Sequence, residues 1–93
     1  MQSPWIEDLT ELLDTEVVVD TAQELIYLGT LTKVTESGLW LENADVRDRR
    51  EGHATKEHYV VEAATHGIRV NRLRVFVARP TVLSISALGD VVK

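Results

Sequence analysis

The arginine side chains of this sequence have the clearest capacity for binding chemistry, and they fall into two groups. Arg69, Arg72 and Arg74 have few acidic neighbours, so their guanidinium groups could contact phosphates or the acidic surface of a partner protein. Arg72 and Arg74 share one face if their segment is a strand. The spacing favours neither partner, and both interpretations stay open.

The second group consists of Arg47, Arg49 and Arg50, with Lys56 close behind. Acidic residues interleave with these arginines and halve the local positive field: Asp45, Asp48 and Glu51. Phosphate contacts are one interpretation of this group. An exposed, salt-bridged loop is the favoured one.

A row of His58, Glu62 and His66 is the remaining candidate for chemistry, because residues four apart share one side of a helix. Imidazoles and carboxylates bind zinc, but the two histidines would be about 12 Å apart, too far for one ion. A solvated helix face is therefore favoured, and no metal or other cofactor is expected. The sequence also lacks a nucleophile elbow and a glycine-rich phosphate loop, so an enzyme is not expected.

Hydrophobic periodicity predicts a mainly β fold that follows an N-terminal helix. The helix is predicted over 4–13, with Ser3 as its cap and Pro4 in its first turn. Five segments have strand patterns, bounded by turn residues: 16–20, 25–34, 38–42, 73–77 and 82–86. Gly29 lies inside the second segment and predicts a bend in the sheet.

The region between the third and fourth strands is predicted to be a polar loop over 43–55 and a helix over 55–66. Gly67 supplies the stop signal of this helix. Two tryptophans, Trp5 and Trp40, lie in apolar patterns and are predicted to pack in the core.

Composition and charge indicate the number of domains and the expected location of the protein. The 93 residues include no cysteine, and 44% are apolar, which predicts one small domain over 1–93 that gains from oligomerisation. Residues 1–45 hold ten acids and one base, whereas residues 46–93 hold nine bases and five acids. Without a membrane span or a secretory signal at the N-terminus, we expect a cytoplasmic protein with no membrane partner.

Two sequence blocks resemble the motifs of the Sm-like family, the ring-forming RNA-binding barrels. The first block spans 16–44 and includes Tyr27-x-Gly29-x-Leu31 and Gly38-Leu39-Trp40-Leu41-Glu42-Asn43-Ala44. The second spans 73–88 and has the spacing of the second family motif. The resemblance implies a five-stranded, strongly bent antiparallel barrel that closes on itself, with a helical insert over 45–72. The chain is identified as a divergent member of the bacterial type.

The resemblance also implies a site and an assembly. Family members hold RNA bases at the turns after the second and fourth strands, which implies RNA contacts from Ser37, Gly38, Arg79 and Thr81. The family's aspartate position is Thr35 here, and its arginine is displaced by one place to Arg79. The residues implied at the interface between subunits are Val75, Phe76, Val77, Val82, Leu83 and Ile85.

Two functions are compatible with this sequence. The first is a homo-oligomeric ring that binds single-stranded RNA. The alternative is the same ring used for contacts with proteins and without a nucleic-acid role, which the net charge of −5 favours.

Overall fold

The computed structural model describes residues 3–51 and 55–93. Helix α1 spans Pro4–Leu9, and a 3₁₀ turn continues it over Thr10–Leu12. The hydroxyl of Ser3 accepts a hydrogen bond from the Ile6 N–H, as expected for the N-cap. The predicted N-terminal helix is therefore present, but its last turn is tightened into 3₁₀ form.

Five antiparallel strands follow α1 and form one sheet. They are β1 (Glu16–Thr21), β2 (Leu25–Thr35), β3 (Gly38–Asp48), β4 (Arg72–Ala78) and β5 (Val82–Ala87). Helix α2, Lys56–His66, connects β3 to β4. The spatial order is β4-β3-β2-β1-β5, and 3₁₀ turns cover Arg79–Thr81 and Leu88–Asp90. The mainly β fold with a helical insert is confirmed.

The sheet is bent but open, because β4 and β5 form its two edges. Within the described residues these strands do not pair with each other, so the expected closure is not made by backbone hydrogen bonds. The β2–β3 register shifts between Leu28 and Thr30, around Gly29. A Cβ atom on Gly29 would lie 3.1 Å from the Cβ of Ala44, so the missing side chain lets the two strands approach closely at the bend.

Strand β3 is six residues longer than predicted. Leu25–Leu28 at the start of β2 pair with Asp45–Asp48, which the polar sequence had placed in a loop. Asn43 has a φ of 51°, a conformation that asparagine tolerates better than most residues. The predicted insert over 45–72 therefore begins four residues too early, and its residues 52–54 lie outside the described ranges.

Each helix covers a separate part of the hydrophobic core. Trp5 and Leu9 of α1 pack against a cluster that includes Val17 and Val19. On the other side of β1, Val18 packs in a second cluster with Val60 of α2. Neither helix in the described ranges is long and apolar enough to cross a membrane.

Candidate nucleic-acid interface

The turn between β2 and β3 and the turn between β4 and β5 are joined directly. The Arg79 N–H donates a hydrogen bond of 2.8 Å to the Ser37 carbonyl oxygen. The Ser37 N–H in turn donates to the hydroxyl of Thr35 at 3.2 Å, which tightens the first turn. Ser37 and Arg79, more than forty residues apart in sequence, are therefore neighbours in one surface site.

Gly38 makes this approach possible. It is buried, and it pairs with Ala78 across the β3–β4 ladder. A Cβ atom at Gly38 would overlap the carbonyl oxygen of Val77 and lie 2.7 Å from Cζ of Phe76. The contribution of Gly38 to the site is therefore to let β4 lie against the first turn.

The guanidinium group of Arg79 is held by two neighbours. Its Nη1 donates to Oε2 of Glu36 at 3.2 Å, and its Cζ lies 4.9 Å from the centre of the Trp5 ring. The Trp5 indole N–H donates to the Thr35 carbonyl oxygen at 2.9 Å. The partly exposed indole and the guanidinium group are therefore neighbours on the surface of the joined turns.

Thr81 and Ser37 differ in what their hydroxyl groups can do. The Thr81 hydroxyl donates to the Ala78 carbonyl oxygen at 2.7 Å, and the Thr81 carbonyl accepts from the Ala22 N–H at 2.8 Å. Thr81 therefore fixes its own turn and ties it to the β1–β2 connection. The side chain of Ser37 is exposed, and its hydroxyl makes no hydrogen bond within the described part of the chain.

The structure separates the three arginines of the first group. Arg69 lies between α2 and β4 and lines a cleft beside α2. Arg72 is exposed at the start of β4, where its Nη1 donates to the Asn71 carbonyl oxygen. Arg74 lies with its Cζ 3.9 Å from the centre of the Trp40 ring. These arginines therefore do not form one cluster with Arg79.

The residues expected at the subunit interface divide between core and surface. Val77 is 1% exposed, so its side chain packs in the protomer core. The strand alternation explains this, because Val77 pairs with the buried Leu39. Other members of the set pack in part against the same core: Val75, Val82 and Ile85. Phe76 and Leu83 are exposed on the two edge strands.

Trp40 does not pack in the core as predicted. Leu39 and Leu41 on either side of it are fully buried, so Trp40 projects from the opposite face of β3. Its ring centre is 5.1 Å from that of Phe76, and Trp40 is partly exposed. The apolar run over 38–42 hid this alternation from sequence reasoning.

The arginines of the second group are salt-bridged, as predicted. Arg49 lies 3.7 Å from Asp20 and 3.6 Å from Glu24. Arg50 donates to Asp48 at 2.7 Å, and the Arg50 hydrogen bonds hold the pKa of the Asp48 carboxyl at about 2. A carboxylate therefore lies beside each of these guanidinium groups and offsets part of its positive charge.

A buried carboxylate that sequence reasoning missed anchors α2. Asp45 is 2% exposed and accepts hydrogen bonds from the Tyr59 hydroxyl at 2.6 Å and from Asn71 Nδ2 at 2.9 Å. Burial, and then the bond to Asp45, raise the pKa of Tyr59 above its ordinary value. The apolar–polar alternation of Ala44, Asp45, Val46 and Arg47 was the signal available in the sequence, since it has the period of a strand.

The row of histidines lies on an open side of α2. His58 and His66 each place Nε2 3.9 Å from a carboxylate oxygen of Glu62. These side chains line a cleft of about 410 Å³ together with Arg47 and Arg69. All three members of the row are exposed, and none is within hydrogen-bond distance of the next.

Comparison with known proteins identifies the fold. No family model and no curated protein sequence matches the chain. Among solved structures, the chain is similar to the Sm protein of Pyrococcus abyssii, solved with a uridine heptamer. The identity is 16%, the TM-score is 0.62, and the match covers 92% of this chain and 99% of that one. The chain has the Sm fold.

Two further structures have the same fold. The SmAP (LSm) protein of Methanococcus vannielii is 20% identical, with a TM-score of 0.57 over 92% of this chain and 96% of that one. A chain of the NatC complex, solved bound to CoA, is also 20% identical, with a TM-score of 0.57 over 85% of this chain and 82% of that one. In this Sm fold, the joined turns of Ser37 and Arg79 are the candidate site.

Proposed function

We propose that the protein is a cytoplasmic, non-enzymatic Sm-like module of the divergent bacterial type that binds single-stranded RNA at the joined turns. The observation that carries the proposal is the placement of Arg79 beside Trp5 and Ser37. The Sm protein of Pyrococcus abyssii, which shares the fold, was solved with a uridine heptamer, and that supports RNA as the ligand class.

The joined turns have the groups that recognise an unpaired base. Aromatic rings and guanidinium planes stack on bases that are splayed out of a single strand. Trp5 and Arg79 supply both surfaces, and the exposed hydroxyl of Ser37 can donate to or accept from a base edge. Gly38 adds no side chain between the turns, so it leaves the space beside Arg79 open.

Electrostatics at the joined turns favour a base over a phosphate. Glu36 neutralises much of the Arg79 charge at a distance of 3.2 Å, and the whole chain has a net charge of −5. Binding through stacking and base-edge hydrogen bonds depends less on salt than binding through phosphates. We therefore expect affinity at this site to fall only shallowly as salt rises.

The ring assembly is part of the proposal and is supported by the two edge strands. Edge strands present unpaired backbone groups that can pair with another chain. Leu73 on β4 is 80% exposed and Leu83 on β5 is 70% exposed, which places apolar surface on both edges. Head-to-tail pairing of β4 with β5 of the next copy closes a ring when the rotation allows it. Light scattering at micromolar concentration measures the assembly: a multimer supports the ring, and a folded monomer contradicts it.

The alternative function is a module for protein assembly without RNA. The likeness to a chain of the NatC complex and the acidic net charge support it. This alternative predicts that the protein forms a multimer in light scattering but does not change the fluorescence anisotropy of any single-stranded RNA.

The test of the proposed function is a fluorescence anisotropy titration with labelled uridine-rich and adenine-rich oligonucleotides over a salt series. Arg79→Ala is expected to weaken binding by about tenfold without a change in assembly, because stacking on one surface contributes on that order. Arg50→Ala is the matched control, since it removes a paired, exposed arginine from another surface. Absence of binding at low salt would exclude the RNA function, and equal affinity of the two variants would exclude the joined turns as the site.

A further inference from the structure

An aromatic and basic surface lies on the outer face of the sheet, apart from the joined turns. Four residues form it, and we call it the β2–β4 face: Lys33, Trp40, Arg74 and Phe76. Lys33 pairs with Trp40 across the β2–β3 ladder, and Trp40 pairs with Phe76 across the β3–β4 ladder. Residues paired in this way project from the same side of a sheet, so the three side chains form one row.

The side chains of the β2–β4 face contact one another and are open to solvent in part. The Arg74 guanidinium carbon lies 3.9 Å from the centre of the Trp40 ring, and the Trp40 and Phe76 ring centres are 5.1 Å apart. Phe76 is 36% exposed, and Lys33 and Arg74 are exposed. The tilted aromatic pair and the two cations beside it are therefore accessible from outside the protomer.

The charge of the β2–β4 face is positive, in contrast to the chain as a whole. Among the described residues, neither Arg74 nor Lys33 has an ion-pair partner within 4 Å. One acidic residue, Glu42, lies opposite Arg74 in the ladder. A polyanion with flat apolar groups complements such a surface, because its phosphates can meet the two cations while its bases stack on the exposed aromatic ring.

We propose that the β2–β4 face is a second contact surface for single-stranded nucleic acid, with bases stacked on Phe76 and Arg74 and phosphates held by Lys33 and Arg74. The proposal rests on the proposed function for the class of ligand. It adds a site that is separate from Arg79 and of opposite electrostatic character, since Arg74 is free of a carboxylate partner in the described chain and Arg79 is not.

The two sites are next to each other along β3. Phe76 lies against Gly38, which follows the first of the joined turns, and Trp40 is two residues further along the strand. Two residues of strand span about 7 Å. One nucleic-acid strand can therefore pass from the turns onto the β2–β4 face, and longer oligonucleotides should gain more from this face than short ones.

The test uses the fluorescence of Trp40. The variant Trp5→Phe leaves Trp40 as the only tryptophan. Titration with a single-stranded RNA of about fifteen nucleotides should quench its emission, because bases stacked on Phe76 and Arg74 lie beside the indole that both side chains contact. In that background, Arg74→Gln should weaken binding about fivefold and lower the slope of log affinity against log salt by about 0.7, the value for one phosphate contact. Arg50→Gln is the control for loss of one exposed arginine.

The outcomes separate this proposal from the proposed function. Quenching of Trp40 that persists in an Arg79→Ala variant supports an independent surface. Trp40 emission that does not change, while Arg79→Ala abolishes binding, overturns the β2–β4 face and leaves the joined turns in place. No binding of RNA by the wild-type chain overturns both. An altered mass of Lys33→Gln or Arg74→Gln in light scattering, with unchanged RNA affinity, overturns the proposal in favour of a protein contact.

Discussion

Replacing Tyr59 with phenylalanine removes one hydroxyl group that fastens α2 to β3. That hydroxyl donates to Oδ2 of Asp45 at 2.6 Å, and Asn71 donates to the other carboxylate oxygen at 2.9 Å. Arg47 is the remaining neighbour, with Nη2 3.7 Å from Oδ2, outside hydrogen-bond distance in this geometry. The variant therefore leaves one oxygen of a buried carboxylate without a hydrogen bond, while the aromatic ring stays in place.

The expected cost follows from the charge of the acceptor. A hydrogen bond to a charged group contributes about 1.5–3 kcal/mol, so we expect Tyr59→Phe to lower the free energy of unfolding by about 2 kcal/mol at pH 7. For a domain of this size, that corresponds to a Tm about 8–16 °C lower. Circular dichroism melts at one fixed protomer concentration measure it, because assembly makes Tm depend on concentration. Tyr27→Phe is the control, since within the described residues the Tyr27 hydroxyl makes no hydrogen bond and its ring also packs on the core.

The pH dependence gives an independent check. Burial and the bond to Asp45 raise the pKa of Tyr59 in the folded state, whereas tyrosine in the unfolded chain ionises near pH 10. The protonated phenol therefore stabilises the folded state fully below pH 10. This stabilisation is lost as the pH rises from 10 towards the raised pKa of Tyr59 in the folded state. The gap in stability between wild type and Tyr59→Phe should narrow above pH 10. A Tm equal to that of the Tyr27→Phe control, or a gap that stays constant from pH 7 to pH 11, would refute this reasoning.

Three further variants test other parts of the structure. Gly38→Ala should lower the free energy of unfolding by about 1–3 kcal/mol in urea denaturation, because the new methyl group overlaps the Val77 carbonyl oxygen; an unchanged midpoint would contradict it. Glu36→Gln should tighten uridine-oligonucleotide binding about two- to fivefold in anisotropy titrations, because it frees Arg79; equal or weaker affinity would contradict it. Leu83→Glu should reduce the mass found by light scattering, because it puts a charge on the exposed edge of β5; an unchanged multimer would contradict it.

Much of the fold follows from local sequence signals. Ser3 and Pro4 place the start of α1, and the β-branched run at Val17–Val19 places β1. Thr55 and Gly67 bound α2, where the Thr55 hydroxyl accepts from the His58 N–H. These predictions are correct because helix caps and strand alternation depend on neighbours within a few residues.

The predictions from sequence are wrong where pairing between distant segments determines the structure. Polar residues after Asn43 suggested a loop, but Leu25–Leu28 at the start of β2 pair with Asp45–Asp48 and extend β3. Burial of Asp45 depends on Tyr59 and Asn71, which lie 14 and 26 residues away. No local pattern could place these three side chains together.

The candidate site was predictable in part. The turns that contain Ser37 and Arg79 were expected from the resemblance, and the structure brings them into contact. The contributions of Trp5 and Glu36 were not foreseen, because they depend on where α1 lies against the end of β2. The exposure of Trp40 was missed for a different reason, since an unbroken apolar run does not indicate which residues face the core.

The most direct measurement of RNA binding at the joined turns is photochemical crosslinking to a uridine heptamer that carries 4-thiouridine, followed by mass spectrometry of the crosslinked peptides. We predict crosslinks at Trp5, within residues 35–38 and within residues 79–81, and their loss in Arg79→Ala but not in Arg50→Ala. Crosslinks confined to α2 and the salt-bridged segment 47–51, or no crosslink at low salt, would contradict this site.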